Sequence, residues 1–169
     1  GVNDYDPNEV AHHPWFTGIA DKLDVAATLD VALRLRPQTR SVYVISDSSL
    51  TGIGERKAVV AASARYPQLS FHYLNGEDYT EAELLDKLRA VPEDSIVLLT
   101  IWLRDSTGRF ISNDAAARAI TSASPVPVFA LTDIWMDHGV VGGKINTGQE
   151  QGRLAAEIVV RIVRNKVRP

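Results

Sequence analysis

"SVYVISDSSLTG" (residues 41–52) decides how this chain folds. Ser41 to Ser46 is rich in Val and Ile and suits a buried strand, because branched side chains pack well on a pleated surface. Asp47, Ser48 and Ser49 follow at once, and these are residue types that make turns and cap the first turn of a helix. The stretch therefore reads as a strand passing through a short polar turn into a helix.

Four more runs of the same kind lie downstream. "LSFHYL" (Leu69–Leu74), "SIVLLTIW" (Ser95–Trp102), "VPVFALT" (Val126–Thr132) and "GVVGGKI" (Gly139–Ile145) read as strands. Helical patterns separate them. Leu23–Leu35 carries Val25, Leu29 and Leu33 four residues apart and stops at Pro37. A second helix is expected from about Leu50 to Arg65. A third, "TEAELLDKLRAVP", opens with Thr80 and Glu83 in a capping box. A fourth is expected from Asn113 to about Thr121. A long closing helix is expected from Asn146, with Leu154, Ile158 and Ile162 stacked beside Ala155 and Val159. Strands that alternate with helices, and that read as near-continuous Val, Ile and Leu, belong to a parallel sheet covered on both faces. The expected fold class is thus α/β: a three-layer, flavodoxin-like parallel sheet of five strands. In such a sheet the ligand crevice lies outside the carboxyl ends of the strands.

Composition narrows the function. With 169 residues, 45% of them hydrophobic and 23% charged, the chain has the size and make-up of one globular domain. A formal charge of −3 gives no basic field for a phosphate backbone, so no nucleic-acid partner is expected. The absence of cysteine excludes disulfides, thiolate metal sites and cysteine nucleophiles. No run of apolar residues is long enough to span a bilayer.

The motifs of common enzymes are incomplete. Gly143-Lys144 would complete a phosphate-binding P-loop only with Gly at 138 and Ser or Thr at 145, where the chain has His138 and Ile145. The dinucleotide fingerprint is missing too. Asp47, Thr132 and Lys144 fall near the positions a phospho-accepting switch uses, but the strand ending "LTIW" lacks the acceptor aspartate. Ser48 and Ser49 lack a nucleophile elbow. His12 and His13 are adjacent and point apart on an extended backbone, which suits a surface pair better than a metal site. The sequence thus leads to no catalytic residue, no metal and no cofactor.

Polar and aromatic residues do gather at strand exits. Asp47, Ser48 and Ser49 follow the first strand, Trp102 and Arg104 the third, and Asp133 and Trp135 the fourth. Tryptophans with a few polar anchors suit a small ligand with a flat or apolar body, so these seven residues are the candidate ligand contacts. His72 lies within a strand and is expected to be structural.

"GVNDYDP", "FTGIADKLDVAATLDVALRLRPQTRSVYVISDSSLTG", "RDSTGRF" and "GVVGGKINTGQEQGRLAAEIVVRIV", in that order, resemble the second half of a type I periplasmic binding protein. The branch resembled is the substrate-binding-protein-like sensor domain of membrane-bound histidine kinases and diguanylate cyclases. The resemblance implies residues 1–22 as an interlobe crossover and 23–169 as the C-terminal ligand-binding lobe. It further implies a small-molecule ligand, an N-terminal lobe elsewhere in the parent chain, a homodimer as a further assembly, and a place on the periplasmic or extracellular face of a membrane-anchored protein. The solute-binding component of an ABC-type transporter is the alternative within the binding class. A flavodoxin-like enzyme or phospho-switch is the alternative outside it.

Overall fold

A computed structural model describes residues 2–3, 8, 11–13 and 15–165. By contacts the chain divides into two units, Leu23–Ile145 and a second made of Gly1–Lys22 with Asn146–Pro169. The sequence reading keeps 23–169 together as one lobe, whereas by contacts residues 146–169 group with the N-terminal segment. Most of "GVNDYDP" lies outside the described residues.

In the smaller unit, β1 (Val2–Asn3) pairs in parallel with β2 (Ala20–Asp21). It also holds the closing helix α5 (Gly148–Asn165). The expected start at Asn146 moves by two residues, because Thr147 supplies the cap: its hydroxyl accepts from the Glu150 N–H at 3.2 Å.

The larger unit contains α1 (Val25–Leu35), β3 (Ser41–Ser46), α2 (Leu50–Ser63), β4 (Ser70–Asn75), α3 (Glu81–Arg89), β5 (Ser95–Leu99), α4 (Asn113–Ala123) and β6 (Val128–Ala130). Each helix starts where a side chain can satisfy an otherwise unpaired N–H. Asp24 accepts from Ala27, Ser49 from Gly52 and Ser112 from Ala115, while Thr80 and Glu83 close the expected capping box.

Four strands, all parallel, form the sheet in the order β4-β3-β5-β6. Side chains alternate between its faces. Val42, Val44, Ile96, Leu98 and Phe129 pack with Val25 and Leu29 of α1 and Val59 of α2. Ile45, Leu74, Val97, Leu99 and Val128 pack with Leu84 and Leu88 of α3 and Ile120 of α4. The result is a three-layer, flavodoxin-like α/β arrangement. Every residue of β5 is buried, which is why its sequence runs as an unbroken apolar stretch. β4, paired on one side alone, keeps His72 exposed, and the imidazole stacks on Tyr43 at 4.7 Å between ring centres. The Tyr66 hydroxyl donates to Asp30 (2.7 Å) and to the Ala26 carbonyl (2.9 Å), tying the end of α2 to α1. Burial and the neighbouring Asp30 push Tyr66 up to about 12.

The sheet has four strands where the sequence predicts five. Gly139–Ile145 runs beside β6 through two hydrogen bonds, Ala130 N–H to Gly142 O (3.0 Å) and Val141 N–H to Val128 O (2.8 Å), with one isolated parallel bridge. Gly139 at φ +89° and Gly142 at φ +117° take the backbone out of the extended region, so no ladder forms. Gly143 is needed for a different reason. A Cβ there would fall on the Ala130 carbonyl and against Thr28, whose hydroxyl accepts from the Lys144 N–H at 2.9 Å. The glycines thus serve close packing of the chain on β6 and α1.

Gly143→Ala is expected to lower stability by about 1–3 kcal/mol through this overlap. Gly148→Ala, with open space around it, should be neutral or stabilising by up to about 1 kcal/mol. Urea unfolding midpoints of the two variants check this, and equal midpoints would remove the close approach at Gly143 from the account.

Candidate functional site

The in-register pairing of the parallel strands delivers their carboxyl ends to one edge, at Ser46, Asn75, Leu99 and Ala130. The chain leaves β3 for β4 on one side, and β5 lies on the other. The crevice where an open α/β sheet reverses its winding therefore falls between the exits of β3 and β5.

Asp47 occupies that crevice and is fully buried. Its Oδ1 accepts from the Ser49 N–H (2.9 Å) and the Ser49 hydroxyl (2.5 Å), and its Oδ2 accepts from the Leu103 N–H (2.9 Å). Ser49 Oγ in turn accepts from the Gly52 N–H at 3.0 Å. One carboxylate thus joins the start of α2 to the loop after β5. Two glycines make room for it: a Cβ at Gly52 would strike the Asp47 carbonyl, and one at Gly76 would lie 3.0 Å from the Asp47 Cα.

The β5 exit loop repeats the device. Residues 103–111 fold into a small hairpin, with Ile111 N–H donating to Leu103 O (2.9 Å), an antiparallel bridge between Arg104 and Phe110, and Gly108 at φ +78° in the turn. Asp105 sits in its base, only 6% exposed. Its Oδ1 accepts from the Thr107 hydroxyl (2.6 Å) and from the N–H groups of Thr107 (3.0 Å) and Arg109 (3.2 Å). Its Oδ2 accepts from the Glu81 N–H at the start of α3 (3.3 Å), and Arg109 pairs with Glu81 at 3.4 Å. The Thr107 hydroxyl, helped by these backbone donors and opposed by burial, holds Asp105 below the ordinary carboxylate range.

A third tie joins β5 to β6. Trp135 lies in a short 3-10 turn (Asp133–Trp135), and its indole N–H donates to the Thr100 carbonyl at 2.6 Å. Thr100 itself donates through its N–H (3.0 Å) and hydroxyl (2.8 Å) to Ile45 O on β3.

These bonds sort the seven sequence candidates. Asp47 and Ser49 are structural: their polar atoms hold backbone. Trp102 and Trp135 are 1% and 0% exposed, within the core between the sheet, α3 and α4. The expectation that both rings stand at a pocket rim is corrected, because the loops that carry them fold back over the core. Ser48, Arg104 and Asp133 are exposed at the exits of β3, β5 and β6. The sequence reading did not single out three exposed apolar residues on the same exit loops, Leu50 (89%), Phe110 (63%) and Ile134 (40%). It also missed the role of Asp105, which a spacing shared with Asp47 would have revealed: each aspartate is followed two residues later by a hydroxyl residue, the pattern of a side chain that closes its own turn. Among the described residues no group of His, Cys, Asp or Glu could hold a metal ion, and no helix is long and apolar enough to cross a membrane.

No protein-family model and no curated protein matches the chain. A solved structure of a conserved domain protein from Vibrio cholerae is similar, with a TM-score of 0.62 and 13% identity, over 87% of this chain and 48% of that one. This chain spans about half the length of that protein. At this identity the likeness is one of fold, and it agrees with an α/β protein built on a parallel sheet.

Two outcomes follow from the ties at the exits. Because Asp105 is held below its ordinary range, it contributes stability that is present above the unfolded pKa and lost as pH falls through the folded one. Urea midpoints should therefore fall between about pH 6 and about pH 3, and less steeply in Asp105→Asn; identical acid slopes would exclude this source. Trp135→Phe keeps a ring in the core but leaves the buried Thr100 carbonyl without its indole donor. It should cost about 1–3 kcal/mol, read from thermal unfolding, whereas an unchanged transition would mean the bond contributes nothing.

Proposed function

We propose that this chain is a ligand-binding lobe of an extracytoplasmic, signal-transducing solute sensor of the type I periplasmic binding protein kind. One observation carries the reading. The strand-exit edge is cross-linked beneath by Asp47, Asp105 and Trp135, and its loops hold out Ser48, Arg104 and Asp133 beside the apolar Leu50, Phe110 and Ile134. A preorganised floor lowers the ordering cost of binding, and mixed charge with apolar area suits a small polar solute with an apolar body.

Binding is favoured over chemistry because both buried carboxylates at this edge are engaged by backbone and hydroxyl donors. A carboxylate with all its acceptor positions facing the protein is poorly placed to move a proton on a substrate. The same burial counts against Asp47 as a phosphate acceptor. Closure of a second lobe over this edge would be a population shift, driven by ligand contacts that the closed state makes and the open state lacks.

The test is an amide shift map of the 169-residue chain, titrated in turn with amino acids, aromatic acids and nucleobases. The reading predicts that a binding solute perturbs amides at 48–52, 103–110 and 132–135, and that Arg104→Ala or Asp133→Ala weakens the response about tenfold, the equivalent of 1.4 kcal/mol. Perturbations confined to other surfaces, or no response across the panel, would refute it.

A further inference from the structure

Asn75-Gly76 is the one Asn-Gly pair in the chain, and packing fixes the glycine. A Cβ at Gly76 would fall 2.6 Å from the Arg104 carbonyl oxygen, so no larger residue fits. Asn75 ends β4 and opens the turn toward α3, where the Asp78 N–H donates to the Asn75 carbonyl at 3.0 Å. The Asn75 Nδ2 donates to Asp78 Oδ2 at 3.0 Å, and its Oδ1 accepts from the Ser46 hydroxyl at 3.4 Å. The Gly76 N–H donates to the Ser46 carbonyl at 2.7 Å. The turn is thus closed by groups that can react with one another once it opens. Asparagine is chemically labile, and a following glycine has no side chain to shield its nitrogen from the carboxamide carbon.

We propose that Asn75 is a site of self-modification, at which the Gly76 nitrogen attacks the Asn75 side-chain carbonyl carbon when the turn opens. The new N–C bond closes a five-membered ring and displaces the side-chain nitrogen, which takes up the Gly76 proton and leaves as ammonia. Water then opens the cyclic imide to aspartate or isoaspartate and returns a proton to the Gly76 nitrogen. Folding holds the reaction back, because the Gly76 N–H is aimed at Ser46 and both ends of the carboxamide are engaged. Reaction therefore runs through local opening. The product does not reclose the turn. Aspartate has no N–H to donate to Asp78, so two carboxylates would stand where one hydrogen bond stood. Isoaspartate adds a carbon to the main chain and displaces Gly76 from Ser46. Arg56 and Lys57 of α2 line the same groove as Asn75, so the new charge is drawn toward α2 and away from Asp78. The change is one-way and falls at the carboxyl end of β4, whatever the strand-exit edge binds.

Peptide mapping by mass spectrometry of the full chain, incubated at mildly alkaline pH, follows the reaction. Conversion at Asn75 should be slower by about tenfold or more in the folded chain than in urea, because it needs the open turn. Folded Asp78→Ala, which loses one of the closing bonds, should convert faster than the folded parent. Equal rates in the folded and unfolded chain, no conversion in urea, or an Asp78→Ala chain no faster than the parent would overturn the site. Hydrogen exchange reads the consequence. The Gly76 amide should lose protection by about tenfold in Asn75→Asp, and regain it in Asn75→Asp/Asp78→Asn, where a carboxamide at 78 donates to the carboxylate at 75. Unchanged protection in Asn75→Asp, or no recovery in the double variant, would overturn the one-way release.

Discussion

The carboxylate of Asp47 is the constraint on which the strand-exit edge depends. A parallel sheet brings its strand ends together but leaves the loops beyond them without ladder hydrogen bonds. At the winding reversal between β3 and β5 a buried carboxylate takes two donors from the α2 cap and one from the β5 loop. A carboxyl group can be buried in this way because it is met by three donors, the backbone N–H groups of Ser49 and Leu103 and the Ser49 hydroxyl. Gly52 is small because Asp47 is there, and Gly76 because the Arg104 carbonyl and Asp47 both press on it.

The other ties extend outward from that point. Asp105 pins the β5 hairpin to the start of α3, and Trp135 pins the exit of β6 to Thr100, which is itself bonded to β3. The edge is thus held as one piece, with the exposed Ser48, Arg104 and Asp133 standing on loops whose bases are fixed. Precision of this sort is what a binding surface needs, since each side chain that must be ordered on binding reduces affinity. The same arrangement engages both aspartates with backbone and hydroxyl donors.

Much of this was legible in the sequence, for physical reasons that differ by element. The unbroken "SIVLL" of β5 announced a strand buried on both faces, and Thr80 with Glu83 announced the start of α3. The fifth strand was misread because "GVVGGKI" has strand-like valines, while its glycines allow positive φ and close packing that composition alone does not reveal. Trp102 and Trp135 were misplaced for a related reason: sequence puts them beyond strand ends, but only the fold-back of the loops decides whether an aromatic caps the core or faces solvent. "DSS" at 47–49 and "DST" at 105–107 carried a readable signal for turn closure, which outweighs their reading as ligand contacts.

The central claim is that Asp47 holds the β5 loop on the β3 exit, and native-state hydrogen exchange of the Leu103 amide in Asp47→Ala tests it most directly. The account predicts that Leu103 and Ser49 lose protection by about tenfold or more, matching a bond to a charged group worth about 1.5–3 kcal/mol, while Val97 and Leu98 within β5 stay closer to the parent. Unchanged protection at Leu103 beside a measurable loss at Val97 and Leu98 would contradict it, since Asp47 would then support the sheet in general and not the edge.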